Sequence, residues 1–369
     1  MRAIQTTFFN ENSFPLCLAP MVGLSHAVLR TVIQEYMPSS KINSKNQLET
    51  IWPTEMLNSR RIPIEILGAN SETYVRPDEI NLVPQILGNN SLEITESILK
   101  LNAHWNLSGI DINMGCPVQK ALKHNYGVSL MGDFDYAAQV VKYAVQATDR
   151  LAIKLPVSVK LRAVGSDKSM DELCRLIDKL ADAGASWVTL HPRTAEQKRR
   201  GCADWNQIQY LKNRSSIPII GNGDIQTATD VFQMLESTKA DKVMSGRALT
   251  ARPWMMWQVG QKLGYANPVG RENEKVPLTD IEEGAEYGRM LLRFIDLMNE
   301  YYIQKIGLNE NLVLRKILFF IRTGHVWLQF GHHLVALSSR AKNLIELKEN
   351  VIHFFQSEQI MYQRTELRQ

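Results

Sequence analysis

The sequence predicts a (β/α)8 TIM barrel followed by a C-terminal bundle of helices. Short apolar runs alternate with amphipathic segments over residues 16–263, and the pattern then changes to helices alone. Strands that alternate with helices are typical of a parallel sheet, and eight such strands close into a barrel. The length of 369 residues leaves room for a barrel of about 250 residues and a smaller unit of about 100.

The eight predicted strands are apolar runs, each followed by a turn that contains glycine, proline or asparagine. They cover residues 16–20, 51–56, 82–88, 109–115, 157–163, 187–192, 217–224 and 242–249. The second strand has the weakest pattern, because the polar residues 41–48 ahead of it lack periodicity. We interpret residues 41–48 as an inserted surface loop.

Helical periodicity fills most of the gaps between these strands. The predicted barrel helices are residues 91–106, 133–147, 170–183, 227–237 and 252–263. Residues 265–278 contain Pro268 and Gly270 and are typical of a linker. The sequence thus predicts a catalytic barrel over residues 1–264 and a helical unit over 279–369. Helices of that unit are expected at 281–306, 312–321, 327–337 and 344–355.

Composition excludes several classes of protein. The four cysteines (Cys17, Cys116, Cys174 and Cys202) form no C-x-x-C pair or zinc-type cluster, so neither a disulfide framework nor a metal site is expected. Residues 1–15 do not resemble a signal peptide, and no apolar run is long enough to span a membrane. We expect a cytoplasmic protein. A net charge of +4 permits a polyanionic partner without requiring one.

The turns after the last two strands suit a phosphate. Barrels place their working residues at the carboxyl ends of the strands. Here Gly221, Gly223 and Gly246 allow close approach of backbone N–H groups, and Arg247 is placed to neutralise an anion. The alternative is that these are only tight turns between strand and helix.

Lys160 indicates a polar ligand, because a lysine on an inward-facing strand position is costly to bury without a partner. The phosphate site together with Lys160, Gln85 and Asn113 suits a flat polar heterocycle with a phosphate tail. Flavin mononucleotide (FMN) fits that description. No G-x-G-x-x-G follows a strand, so no dedicated nicotinamide-binding domain is predicted.

The segment Gly-Ile-Asp-Ile-Asn-Met-Gly-Cys-Pro-Val at residues 109–118 combines a strand with a turn that presents a thiol. Asp111 and Asn113 lie on one side of the strand, since side chains alternate with period two. Cys116 follows in the turn, just before Pro117. Taken alone, the segment fits either a reactive thiol or a small buried cysteine.

The strand-end motifs stand in the order of one enzyme family. Ala-Pro-Met at 19–21, Thr-Glu-Met at 54–56, Gln-Ile-Leu-Gly at 85–88 and Asp-Ile-Asn-Met-Gly-Cys-Pro at 111–117 come first. Val-Ser-Val-Lys-Leu-Arg at 157–162, His-Pro-Arg-Thr at 191–194, Asn-Gly-Asp-Ile at 222–225 and Ser-Gly-Arg-Ala at 245–248 follow. Over residues 16–263 this set resembles the bacterial type of tRNA-dihydrouridine synthase. That family also carries a C-terminal helical domain that helps to hold tRNA.

The resemblance implies an FMN-dependent enzyme that reduces the C5–C6 double bond of a uridine in tRNA, with NADPH or NADH as hydride donor. It implies that Cys116 is the acid that protonates C5. The implied cofactor-binding residues are Pro20, Met21, Val22, Gln85, Lys160, His191, Asn222, Gly223, Asp224, Gly246 and Arg247. The implied substrate-binding residues are Asn113, Arg193, Arg315 and Lys316. A monomer is expected.

Two other functions stay open on the sequence. One is a barrel oxidoreductase that acts on a free pyrimidine, similar to dihydroorotate dehydrogenase, which also has a Cys-Pro turn and a strand lysine. The helical tail and the His-Pro-Arg at 191–193 argue against it. The other is a non-catalytic RNA-binding barrel, which the intact strand-end residues argue against. The position of the uridine in tRNA cannot be read from the sequence.

Overall fold

Eight parallel strands form one sheet in the computed structural model, which describes residues 7–10, 13–39, 48–164, 169–198 and 200–366. The strands are β1 (Leu16–Leu18), β2 (Trp52–Asn58), β3 (Leu82–Leu87), β4 (Ile110–Met114), β5 (Val157–Arg162), β6 (Ala185–His191), β7 (Ile219–Asn222) and β8 (Lys242–Ser245). Their order is β1-β8-β7-β6-β5-β4-β3-β2. Apart from Leu48, the predicted insertion at 41–48 lies outside the described residues.

The sheet closes between β1 and β2, which lie at the two ends of this order. The Phe14 N–H donates to the Glu49 carbonyl at 2.8 Å, and the Thr50 hydroxyl donates to the Leu16 carbonyl at 2.7 Å. A parallel bridge pairs Ser13 with Glu49. The predicted (β/α)8 barrel is confirmed, and the carboxyl ends of all eight strands face one rim.

Helices cover the outside of the barrel and continue beyond it. They are α1 (Ala27–Gln34), α2 (Ser91–His104), α3 (Gln119–Leu122), α4 (Phe134–Thr148), α5 (Met170–Asp182), α6 (Trp205–Lys212), α7 (Ala228–Thr238), α8 (Arg247–Ala251), α9 (Met255–Lys262), α10 (Asp280–Met298), α11 (Glu310–Gly324), α12 (Gly331–Ser338) and α13 (Leu344–Phe354). A π-helical segment, Asn299–Lys305, follows α10. Within the described ranges, no helix is long and apolar enough to cross a membrane.

Some elements differ from the prediction. β8 ends at Ser245 instead of residue 249, and α8 begins at Arg247, because Gly246 breaks the strand. The helices α1 and α6 were not predicted. Both helices are only eight residues long; α1 buries the polar side chains of Arg30 and Thr31 among its apolar ones, whereas α6 buries only Ile208 and Leu211. Turns at residues 59–81 replace a helix after β2.

The barrel interior is closed at the end opposite the carboxyl rim. Cys17, Trp187 and Met244 belong to the cluster of buried side chains that fills it. Phe8 covers this cluster, with its ring centroid 5.7 Å from that of Trp187 in an edge-on arrangement. Among the residues that the structure describes, this packing closes one end of the barrel and leaves the carboxyl rim open to a ligand.

Buried polar contacts join the barrel to the C-terminal helices. The Arg252 guanidinium lies 2.8 Å from the Glu283 carboxylate, with both side chains almost fully buried. Trp254 and Gln258 donate to the same carboxylate at 3.0 and 2.7 Å. Val276, within the predicted linker, is also buried. The division of the chain at 264 and 279 stays a prediction, but one continuous hydrophobic core includes side chains from both units.

Candidate active site

A cavity of ≈ 220 Å³ opens at the carboxyl ends of the strands. Its walls contain Pro20, Met21, Lys160, Arg162, His191, Arg193, Asn222, Gly223, Asp224, Gly246 and Arg247 among others. Of the residues predicted to bind a cofactor, Val22 and Gln85 lie outside these walls. Across the described part of the chain, no three His, Cys, Asp or Glu side chains are grouped as metal ligands.

The turn after β7 has a backbone that requires glycine. Gly223 has φ +118°, and a Cβ there would lie 2.7 Å from the Cβ of Ala203 and 3.0 Å from Cδ2 of His191. Asp224 also has a positive φ of 58°. The Asn222 amide donates to the Met244 carbonyl at 2.8 Å, which fixes the turn against β8. The turn thus brings backbone close to the cavity at the predicted phosphate position.

Arg193 and Asp224 pair with each other. The Arg193 guanidinium donates to both carboxylate oxygens of Asp224 at 2.7 and 2.8 Å, and Asp224 also accepts the Ala203 N–H at 2.6 Å. Arg193 donates further to the carbonyls of Arg200 and Gly201, at 3.3 and 2.5 Å. The Asp224 charge is therefore compensated beside a proposed anion site, and the Arg193 side chain holds residues 200–203 in place.

The cavity is electropositive. Burial lowers the pKa of His191 to about 2, and the positive charges of Lys160, Arg162, Arg193 and Arg247 act in the same direction. Its imidazole is therefore neutral at physiological pH. Burial, and then Arg162, lower the pKa of Lys160 to about 8. So many cationic groups around one cavity favour an anionic ligand.

A chain of side-chain hydrogen bonds runs from Asp111 to the turn that carries Cys116. The Gln85 amide donates to Asp111 Oδ2 at 2.7 Å, and the Asn113 amide donates to Gln85 Oε1 at 2.7 Å. Asn113 Oδ1 accepts the backbone N–H groups of Gly115 at 3.1 Å and Cys116 at 2.9 Å. The predicted ring-binding and substrate-binding amides are thus connected directly to the predicted acid.

Two further contacts support the Cys116 turn. Arg162 donates to the Gly115 carbonyl at 2.9 Å and to the Lys198 carbonyl at 2.9 Å, so it joins this turn to the segment after β6. On the other side, the Val128 N–H donates to the Cys116 carbonyl at 3.2 Å. The Cys116 thiol is half-buried at the barrel rim. It is therefore fixed in place yet reachable by a substrate.

The sequence model of one family, described as Dihydrouridine synthase (Dus), matches residues 17–347. This chain belongs to the dihydrouridine synthase family. The predicted family is confirmed, and the chain is an enzyme, a flavin-dependent oxidoreductase as the family implies.

Curated relatives cover most of the chain. One from Rhizobium leguminosarum bv. phaseoli is 33% identical and covers 75% of this chain and 78% of its own. One from Helicobacter pylori (strain J99) is 25% identical and covers 95% of this chain and 94% of its own. One from Aquifex aeolicus is 31% identical and covers 66% of this chain and 72% of its own. Each is described as a probable tRNA-dihydrouridine synthase.

The synthase places α11 beside the rim. A Cβ on Gly23 would lie 2.9 Å from Cε1 of Phe319, so this ring rests on the loop after β1. Burial raises the pKa of Glu55, whose carboxylate accepts the Gly23 N–H at 2.6 Å, and the nearby charge of Lys316 opposes that rise. Arg315 is exposed on the same helix. The predicted substrate-binding pair Arg315 and Lys316 is thus near the rim, and Val22 there is 60% exposed.

Sequence reasoning gave no role to three residues that organise the site. Asp111 and Arg162 were recognised as strand-end residues, but their partners lie on other strands and loops. Gly127 was visible only as part of a short glycine-containing loop. Its φ of +60° and its contact with Cys116 reveal why glycine is needed there.

Replacing Gly127 with alanine is expected to lower turnover of the synthase by about tenfold, because a 1 Å displacement of a reacting group is costly. The new Cβ would lie 2.5 Å from the Cys116 carbonyl oxygen, and the φ of +60° disfavours alanine. The measurement is the steady-state rate, with thermal unfolding as a check on folding. Gly132→Ala is the matched control, since its Cβ would meet nothing within 4 Å. Equal rates for both variants would contradict the prediction.

Proposed function

We propose that this synthase reduces the C5–C6 double bond of a uridine in tRNA, with FMN as cofactor and NADPH or NADH as the hydride source. One observation carries the proposal: an electropositive cavity and a thiol lie at the same barrel rim, joined by Arg162, which lines the cavity and donates to the Gly115 carbonyl beside Cys116. The tRNA substrate is also supported by the names of the curated relatives.

The residues around the cavity fit FMN. A Cβ on Gly246 would lie 3.2 Å from the Met21 sulfur, so glycine lets the turn after β8 pack closely against Met21 in the cavity wall. We assign the phosphate to Arg247, Gly246 and the turn Asn222, Gly223 and Asp224. Lys160 and Gln85 would donate to the ring, Pro20, Met21 and Val22 would lie along it, and neutral His191 would stand at its edge.

The protein's own part in the reaction is to supply a proton and to hold the thiol that carries it in position. Reduced FMN, when bound, supplies a hydride to C6 of the uracil. The Cys116 thiol then gives its proton to C5, and the hydrogen bonds from Gly115 and Cys116 to Asn113 hold that thiol in position. Asn113 would line the space that the uracil enters.

The surface around the rim would hold the tRNA. A uridine in a folded tRNA must leave its stack to reach a barrel pocket. Arg315 and Lys316 on α11 and the basic residues Lys198 and Arg200 after β6 flank that approach, and cations there suit the phosphate backbone. One chain furnishes every residue assigned here, so we propose that the enzyme acts as a monomer.

Reaction of the purified protein with an unmodified tRNA transcript tests the function. We expect dihydrouridine at a defined position, found by mass spectrometry, when NADPH or NADH is added. The cofactor released by heat should be FMN by chromatography. Reduction of free pyrimidines with no change in tRNA would overturn the proposed substrate. A colourless protein that takes up no added flavin would overturn the cofactor.

FMN affinity is expected to fall by about three- to tenfold as the pH rises from about 7 to about 10. The Lys160 pKa of about 8 means that the ammonium, which attracts an anion, is present below pH 8 and lost above it. Bound FMN raises that pKa, so the fall lies above pH 8. Arg162 lowers the Lys160 pKa, whereas Asp111, Cys17 and Cys116 raise it. Fluorescence titration at each pH measures the affinity.

The variant Lys160→Met tests whether Lys160 is the group that causes this pH dependence of FMN affinity. Lys242, at the closed end of the barrel, also has a pKa lowered by burial to about 8, so it titrates over the same range. If Lys160 is responsible, the Met variant binds FMN more weakly at pH 7 and its affinity changes little up to pH 10. A Met variant with the wild-type pH profile would show that another group titrates.

A further inference from the structure

The buried carboxylate of Asp111 lies at the start of the hydrogen-bond chain and can only accept. Asp111 Oδ2 accepts from Gln85 at 2.7 Å, and Oδ1 accepts from the Ser158 hydroxyl at 2.6 Å. Its side chain is 8% exposed, on the same side of β4 as Asn113. Burial raises the pKa of the Asp111 carboxyl, and the hydrogen bonds from Gln85 and Ser158 oppose that rise by stabilising the ionised form, which has acceptor oxygens and no proton to give.

This restriction sets the direction of both amides. Gln85 must turn its N–H to Asp111, so its oxygen faces Asn113. Asn113 must then turn its N–H to Gln85, so its oxygen faces the N–H groups of Gly115 and Cys116. A reversed Asn113 would set N–H against N–H, and the turn that carries Cys116 would lose both hydrogen bonds.

We propose that Asp111 is a positioning residue of the reaction: it fixes the direction of the Gln85 and Asn113 amides, and through them the place of the Cys116 thiol. The inference rests on the proposed function for the meaning of that thiol. It has a second consequence for the cofactor. The second N–H of each amide would then be left to donate to the ring beside Lys160, which lies opposite Asn113 on β5. Donors suit a ring that gains negative charge on reduction.

Ser158 makes the proposal testable with a conservative variant. In Asp111→Asn, the hydroxyl of Ser158 can accept the new N–H, which leaves the amide oxygen facing Gln85. The direction of the chain is therefore kept. Asp111→Leu removes both acceptor oxygens while keeping the number and branching of the side-chain heavy atoms. Combining Asp111→Asn with Ser158→Ala removes the group that orients the new amide.

The experiment compares these three variants in the full-length protein. The first readout is the rate of Cys116 alkylation by iodoacetamide, with exposed Cys202 in the same sample as reference. The second is the reduction potential of the bound flavin, and the third is dihydrouridine formation. We expect Asp111→Leu and the double variant to change the Cys116 rate relative to Cys202 by about tenfold, as one lost buried hydrogen bond predicts. Both should lower the potential and the turnover, whereas Asp111→Asn stays near wild type.

Each outcome decides the matter. Wild-type alkylation and potential in Asp111→Leu would overturn the proposal, and so would an Asp111→Asn variant as impaired as Asp111→Leu, since the negative charge that both variants lack would then be the role. If Asp111→Leu does not fold, the contrast between Asp111→Asn and the double variant decides. Absence of dihydrouridine in the wild type would refute the proposed function, but the alkylation readout depends on the chain alone and would still test Asp111.

Discussion

Replacing Cys116 with alanine is expected to reduce dihydrouridine formation by a factor of about 10² to 10⁴ while FMN remains bound. The thiol is the group assigned to protonate C5, and Cys116 is not one of the residues that form the cavity walls. The variant should therefore keep its flavin absorbance and its unfolding temperature. Single-turnover reaction of the reduced protein with tRNA measures the loss.

Cys202→Ala is the matched control, because Cys202 is an exposed cysteine on the segment after β6. It should react at the wild-type rate. Cys116→Ser would retain a weaker proton donor and should lie between the two. Unchanged turnover in Cys116→Ala would remove the thiol from the mechanism, even with the remaining features of the site intact.

Replacing Glu283 with alanine is expected to lower the free energy of unfolding by about 3–5 kcal/mol, the cost of leaving a buried charge without its partner. The carboxylate accepts from Arg252, Trp254 and Gln258; Arg252 and Gln258 would keep only backbone carbonyls as acceptors, and Trp254 would lose this hydrogen bond. Arg252 would remain almost fully buried with its charge. Urea unfolding followed by tryptophan fluorescence measures the change.

The position of Glu283 makes this variant informative about the two units of the chain. Its partners lie on or beside α8 and α9, whereas Glu283 belongs to α10. If the units unfold together, flavin release and fluorescence should shift to lower urea by the same amount. The control is Glu300→Ala, which breaks an exposed pair with Lys305 and should cost about 0–1 kcal/mol. Equal effects of both variants would contradict the prediction.

The barrel could be predicted from the sequence because each of its strands must be apolar on both faces. Strands covered on both faces are near-continuous apolar runs, and each of the eight predicted runs overlaps a strand of the structure. Helices of only eight residues, as α1 and α6 are, give a periodic pattern few turns in which to appear, and α1 also buries the polar side chains of Arg30 and Thr31. These two escaped prediction for that reason.

The candidate site likewise has one part that the sequence predicts and another part that it does not. The strand-end rule brought Lys160, His191 and Arg247 to one rim, and they share a cavity. Pairing between side chains is a different matter. Arg193 and Asp224 are 31 residues apart in the sequence, and only the structure shows that their side chains form an ion pair. The roles of Asp111 and Gly127 also depend on what they touch, and a sequence pattern cannot show that.

The segment after β6 is held in place mainly by hydrogen bonds to its backbone carbonyl groups. Arg162 and Arg193 donate to carbonyl groups of Lys198, Arg200 and Gly201, and every amino acid offers that carbonyl. The side chains at 195, 196, 198 and 200 can therefore be exchanged during evolution, or in a mutant library, with little effect on the path of the loop. Selection for a different RNA partner can act on this short stretch while the chemistry at the rim is preserved.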